Sequence, residues 1–181
     1  MPVAVRPASP VWTAGAPPAG VRRAMAAEGL LVEVLPSVWL PADLVREPAA
    51  RAAALVAHVT GACALPGSVR WCLPPGAVVA LAAAAWVHGC PAPPRRVDLL
   101  VPRGTGPGPA GGAVRLRRVA EPARGARTVG DLVVTGPERT VEDLTGSADP
   151  QDRAALAWAR GTQVDAVGQA PACSSRRPVA R

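Results

Sequence analysis

"VVTGPERTVEDL" (Val133–Leu144) is the most patterned stretch of this chain, and its reading decides where function is sought. Thr135 ends an apolar run that reads as a strand, and Glu138 follows three residues later. That spacing predicts a capping box: the Thr hydroxyl accepts the Glu138 backbone N–H, and the Glu carboxylate returns to the Thr N–H. Pro137 falls in the first helical turn, where its missing N–H costs nothing. Pro137, Val141, Leu144 and Ala148 then share one apolar face. Arg139 and Asp143 are spaced to pair at i, i+4, worth ~0.2–0.5 kcal/mol. Only Thr140 and Glu142 are left without a structural task. The stretch therefore predicts a strand-to-helix junction with Thr135, Pro137, Glu138, Arg139 and Asp143 as its structural residues, not a reacting site.

Upstream of it, "DLVVT" is the strand that feeds the junction, and "RVDLLVP" and "AVRLRRV" read as two more. The Gly-rich "RGTGPGPAGG" between those two predicts a flexible hairpin connection. "LPPGAVVALAAAAWVHG" reads as one helix entered through a Pro-Gly turn, with His88 in its last turn and Gly89 as its left-handed cap. A further helix starts at Pro48, with Ala52, Leu55, Val56 and Val59 at i, i+3, i+4 and i+7. His58 shares a face with Arg51 and is expected to be exposed. "LLVEVL" and "VWLP", joined at Pro36-Ser37, read as a hairpin preceded by a short helix, "GVRRAMAAEG". Downstream, "PQDRAALAWAR" is the last helix. The organisation expected is a disordered 1–20, a partial winged-helix unit with its wing hairpin over 21–42, a domain over 46–162, and a disordered tail over 163–181.

The chain has 181 residues, enough for one ordinary domain with a small appendage. It has no Phe and no Tyr, so Val, Leu, Ala and five Trp must fill the core. Lys, Ile and Asn are absent too, and all five missing types have AT-rich codons, which points to a GC-rich gene. The net charge of +7, carried wholly by Arg, favours polyanions, discounted for that codon bias. Eight arginines stand against two acids over 95–127, whereas 128–152 holds six acids and one Arg. Such neighbours either pair internally or present two surfaces of opposite sign.

Several function classes find no support. The prolines of "MPVAVRPASPVW" break any leader pattern, and the longest apolar run, Ala77–Val87, is short of the ~18 residues a bilayer needs. A cytoplasmic location is expected, without membrane contact. The four cysteines form no Cys-x-x-Cys pair, so neither a disulfide framework nor a zinc ribbon is indicated, and His88 with Cys90 matches no ligand spacing. "GTGPGPAGG" lacks the Lys-Ser/Thr of a phosphate loop and precedes a strand, not a helix. No acid–base constellation or nucleophile elbow is present, and no cofactor or small-molecule substrate is implied.

The same stretch carries a resemblance. It is similar to the "T-x-P-E-R-T-x-x-D-L" segment of AbiEi-type antitoxins, the antitoxin and transcriptional-regulator half of type IV toxin–antitoxin systems. "GLLVEVLPSVWLP" resembles that family's wing hairpin. "PPGAVVALAAAAWVHGCP" resembles its central helix, with Ala84, Ala85, Trp86, His88 and Gly89 matching, and "VDLLVP" with "VRLRRV" its basic strand pair. The likeness spans about residues 21–160, in order, and suits a truncated actinobacterial member without the endonuclease-like C-terminal domain. It departs from the pattern in the short segment before the hairpin, in Glu33 and Ser37 of the wing, and in Ala80 and Ala83, where the family has Ser and Thr.

The resemblance implies an α+β fold: a small, eroded N-terminal winged-helix unit, then a mixed α/β antitoxin domain with a mainly antiparallel sheet and flanking helices. It implies a non-enzymatic regulator that binds promoter DNA, a nucleotidyltransferase-type toxin, or both. Arg22 and Arg23, on the helix before the wing, are the candidates for DNA phosphates. Arg115, Arg117 and Arg118 are the candidates for a polyanion or a protein partner; Arg115 and Arg117 alternate with Val114 and Leu116 and should point off the core face. The alternative is a vestigial interaction domain that does not bind DNA.

Overall fold

A computed structural model describes residues 12–13, 18–62, 73–108 and 112–168. Two sheets and five α-helices make a mixed α+β fold among these residues. The small sheet holds β1 (Trp12–Thr13), β2 (Leu31–Leu35) and β3 (Val38–Pro41) in the order β1-β3-β2, all antiparallel. Its β2–β3 hairpin turns at Pro36-Ser37 as the alternation predicts, and Ser37 takes a φ of 62°. Helix α1 (Ala19–Ala27) enters this hairpin, and a 3-10 turn (Ala42–Leu44) leads from it to α2 (Pro48–Ala62).

The main sheet comprises β4 (Val78–Ala80), β5 (Val97–Pro102), β6 (Val114–Val119), β7 (Ala126–Val129) and β8 (Leu132–Thr135), in the order β6-β5-β4-β8-β7. The β5–β6 and β4–β8 pairs are parallel, and β4–β5 and β7–β8 antiparallel. Helices α3 (Leu81–Val87), α4 (Pro137–Thr145) and α5 (Pro150–Gly168) complete the chain.

The fold departs from the sequence expectations at four places. The segment read as one helix from Leu73 to Gly89 is a strand followed by a helix. Val78-Val79 is β-branched and buried between β5 and β8, so those residues join the ladder, and Leu81, at a φ of 56°, swings the chain into α3. The Gly-rich connection from β5 to β6 is no hairpin, because the two strands run parallel and a two-strand hairpin joins antiparallel strands. Strand β7 adds to the three strands expected over 97–135, and its two-residue turn to β8, Gly130-Asp131, is a hairpin signal in which Gly130 has the positive φ such a turn needs. Finally, α5 runs on to Gly168, past Gly161, where the sequence periodicity stops.

Alternation along each strand sorts the core into two layers. Val97, Leu99 and Val101 of β5 join Leu132 and Val134 of β8 and the buried side of α2. That layer also contains Val34, Leu35, Val38 and Leu40 of the hairpin, so the small sheet packs on the main core rather than beside it. On the other face, Val78, Ala80 and Leu100 meet Leu144 of α4 and Ala155 of α5. Between the layers lies α3, whose seven residues are all buried. Its alanines suit that place: they keep helix propensity high while letting neighbouring backbones come close. The seam depends on Asp152 of α5, whose buried carboxylate accepts the Ala82 N–H at the start of α3 (3.3 Å) and the Ser147 hydroxyl (2.5 Å).

Candidate functional site

Three clusters bear on function: the N-terminal helix with its hairpin, the arginines of β6, and the junction where β8 becomes α4.

Helix α1 has no buried residue. Arg23 is exposed and Arg22 half-buried. In the hairpin, the Ser37 N–H donates to Glu33 Oε1 (2.9 Å). Glu33 thus caps the hairpin turn and holds Ser37 in its left-handed conformation.

The β6 arginines are tied down. Parallel pairing sets Asp98 of β5 beside Arg115. The Asp98 carboxylate is buried; its Oδ1 accepts from Arg115 Nε and from Arg117 Nε (3.0 Å), and Arg96 Nε stands 3.9 Å from its Oδ2. Both arginines do lie on the face opposite Leu116, but that face is a charged seam around Asp98, not open solvent. Arg115 Nη2 is buried without a hydrogen-bond acceptor. Arg118 donates to the carbonyls of Thr105 (3.1 Å) and Gly106 (3.0 Å) and so staples the β5–β6 connection. The basic and acidic segments pair internally as well, through Arg96–Asp149 and Arg124–Glu142, both at 3.0 Å. Asp149 is held below the usual carboxylate range by the Gln151 backbone N–H and by Arg96.

At the junction the capping box is absent. Gly136, not Thr135, is the N-cap of α4, and no side chain caps it. Thr135 is the last strand residue and fully buried, and its hydroxyl is engaged inside the core rather than at the helix start. It donates instead to Thr140 Oγ1 (2.8 Å), whose own proton goes to the Gly136 carbonyl (2.8 Å). Thr140, the residue left without a task by the sequence, is thus the buried centre of the junction, and Glu138 is exposed in the first turn. Gly136 is required sterically, because a Cβ there would lie 2.8 Å from the Gly125 carbonyl oxygen. Pro137 does sit in the first turn, and Arg139 pairs with Asp143 (2.8 Å). On the predicted apolar face Leu144 is buried, but Ala148 is exposed beyond the helix end.

Beside this junction lies a pocket of about 220 Å³ between α3, α4, α5 and β7. Its wall is Ala85, Pro137, Val141, Trp158 and Ala159, with His88, Arg127, Thr140 and Thr162 as its polar residues. His88 does not act as a charged helix cap. Its Nε2–H donates to the Thr135 carbonyl (2.6 Å), and its Nδ1 accepts from Arg127 Nη2 (2.8 Å). Burial pushes its pKa down and Arg127 adds to that, against the Thr135 carbonyl and Glu138, so the ring is neutral. Gly89 has the expected positive φ, at 116°.

His58 is likewise buried, not exposed, and burial lowers its pKa against a hydrogen bond to the Pro36 backbone. Its neighbour Arg51 is buried as well and donates to the carbonyls of Val45 (2.6 Å), Trp86 and Cys90 (2.9 Å). No periodicity distinguishes such a buried Arg from an exposed one. Cys90 is a free, buried thiol whose pKa burial raises. Cys63, Cys72 and Cys173 lie outside the described residues, among which no group of three His, Cys, Asp or Glu is placed to hold a metal ion. None of the described helices is long and apolar enough to cross a membrane.

Comparison of the chain with protein-family models and with curated protein sequences returns no match.

Proposed function

We propose that this chain is a non-enzymatic, antitoxin-like transcriptional regulator. Its N-terminal helix and hairpin contact promoter DNA, and its α/β body offers a surface to a protein partner of the nucleotidyltransferase-toxin type. One observation carries the reading: α1 buries none of its residues, bears Arg22 and Arg23, and runs directly into an antiparallel hairpin. An exposed, arginine-bearing helix just before a hairpin supports the reading, since a winged helix reads DNA through such a helix. The ordered likeness of residues 21–160 to the antitoxin family supports it. The β6 arginines support it less, because Asp98 and the 105–106 carbonyls already occupy them.

A second reading, an interaction domain without DNA affinity, draws on a different observation. Over 18–47, Arg22, Arg23 and Arg46 are outnumbered by Glu28, Glu33, Asp43 and Glu47. The same unit exposes Val21, Leu30 and Val32, at 47%, 52% and 39%. Apolar side chains within a charge-balanced surface suit a protein partner better than phosphates.

Binding of the full chain to a fluorescent duplex from its own promoter, beside a scrambled duplex, separates the two. Preference for the promoter that persists near physiological salt, and is lost in Arg22→Ala/Arg23→Ala, supports the regulator. Equal, weak binding that vanishes with salt supports the interaction domain.

A further inference from the structure

The pocket between α3, α4 and α5 is used by neither reading. Its wall is apolar: Ala85, Pro137, Val141 and Ala159, closed by the Trp158 indole, which lies against Gly89. Its two threonines offer little, because the Thr140 hydroxyl is spent on Gly136 and Thr135, and the Thr162 hydroxyl on the Trp158 carbonyl (2.7 Å). His88 has both ring nitrogens engaged.

That leaves Arg127. Among the described residues no carboxylate lies within ion-pair distance of it, although Arg96, Arg115, Arg117, Arg124 and Arg139 each have one. Its bond to a neutral imidazole holds one Nη2 in place and leaves most of the guanidinium fork without an acceptor. A positioned cation at the mouth of an apolar cavity selects an anion joined to an apolar body, and the fork favours a carboxylate taken in two parallel bonds. The indole favours a flat ring, which stacks on it. At about 220 Å³ the cavity lies below the range of pockets for drug-sized ligands and leaves no room for a nucleotide.

We propose that this pocket binds a small aromatic monocarboxylate, with the carboxylate on Arg127 and the single ring against Trp158. The site stands independently of the DNA reading, since α1 and the hairpin take no part in it.

The test is calorimetric titration of the full chain with benzoate, and with benzamide and acetate as probes that lack the charge or the ring. Benzoate saturates one site, and both other probes bind more weakly by about tenfold or more: benzamide through loss of a charge-assisted hydrogen bond, acetate through loss of the buried ring. Arg127→Gln loses the preference for benzoate over benzamide, whereas Arg124→Gln, which removes an exposed arginine outside the pocket lining, keeps it. Val141→Trp fills the cavity, leaves Arg127 intact and abolishes binding. Absence of saturable heat from benzoate overturns the proposal, as does equal binding of benzamide or undiminished binding in Arg127→Gln. Should Arg127→Gln fail to fold by circular dichroism, the three-probe comparison on the unaltered chain and Val141→Trp still decide.

Discussion

The Arg51 guanidinium lies 5.2 Å from the centre of the Trp86 ring and donates through Nη1 to the carbonyl of the same residue. The pair ties α2 to α3 beside the core layer that α2 covers. No carboxylate within ion-pair distance balances the charge among the described residues, and burial pulls the Arg51 pKa below the usual arginine range. Three carbonyls and an aromatic face take the place of a counterion. Arg51→Ala removes the donors and leaves a void, so urea unfolding should show a loss of about 2–4 kcal/mol. Arg51→Lys restores the charge but not the planar fork, and should recover less than half of that. Full recovery in the Lys variant would show that the fork is not what matters.

Thr140 and Glu138 give opposite expectations. Thr140→Val keeps the volume but leaves the Thr135 hydroxyl buried without a partner, at a cost of about 1–3 kcal/mol. Glu138→Ala, at an exposed position outside any capping box, should stay within about 0.5 kcal/mol. Chemical denaturation of both variants checks this. A large loss in Glu138→Ala with none in Thr140→Val would restore the capping box.

Asp98 should govern how freely the β6 arginines meet polyanions. Asp98→Asn releases Arg115 and Arg117 and should raise low-salt affinity for non-cognate duplex DNA and steepen its salt dependence. Asp131→Asn makes the same charge change in the exposed β7–β8 turn, at the edge of the sheet opposite β6, and serves as the control. The stability cost should be only about 1 kcal/mol, because both arginines are over a third exposed and water screens them. Identical salt slopes in the two variants would mean that Asp98 does not restrain these arginines.

The two histidines set a pH window. Burial lowers the folded-state pKa of His58 and of His88 below the ordinary 6.5. The unfolded chain therefore takes up protons first as the pH falls. Stability is full above pH 6.5 and declines as the pH drops through the lowered folded values. Around His88 the groups that matter are Arg127, which opposes protonation, and Glu138 with the Thr135 carbonyl, which favour it. Urea midpoints followed from about pH 7.5 to about pH 5, above most carboxylate titrations, should fall in the native chain and fall less in His88→Gln. A decline of the same size in that variant would assign the effect to His58 alone.

Much of the layout was legible in the sequence. The β2–β3 hairpin, α2, β5, β6, β8, α4 and the start of α5 follow from alternation, from i, i+3, i+4 spacing and from Gly and Pro punctuation, all written within a few residues. The Arg139–Asp143 pair belongs to the same class, since both partners sit on one helix. Where the sequence misled, the cause lay at long range. Val78–Ala80 carries helix-compatible residues that the sheet claims because β5 and β8 flank it. The parallel pairing of β5 with β6 is a choice of sheet partner and direction that no local pattern encodes.

The candidate sites divide along the same line. Sequence alone determined that Arg22 and Arg23 share a helix just before a hairpin, and that Arg115 and Arg117 share one strand face. Only the tertiary structure decided that Asp98 ties down both arginines of that face, that Thr140 rather than Glu138 anchors the α4 junction, and that His88, Arg127 and Trp158 meet around one pocket. Covalent neighbours fix spacing and periodicity, because those follow from backbone geometry. Counterions, buried partners and cavities come from elements dozens of residues apart, and their identity exists only once the chain has packed.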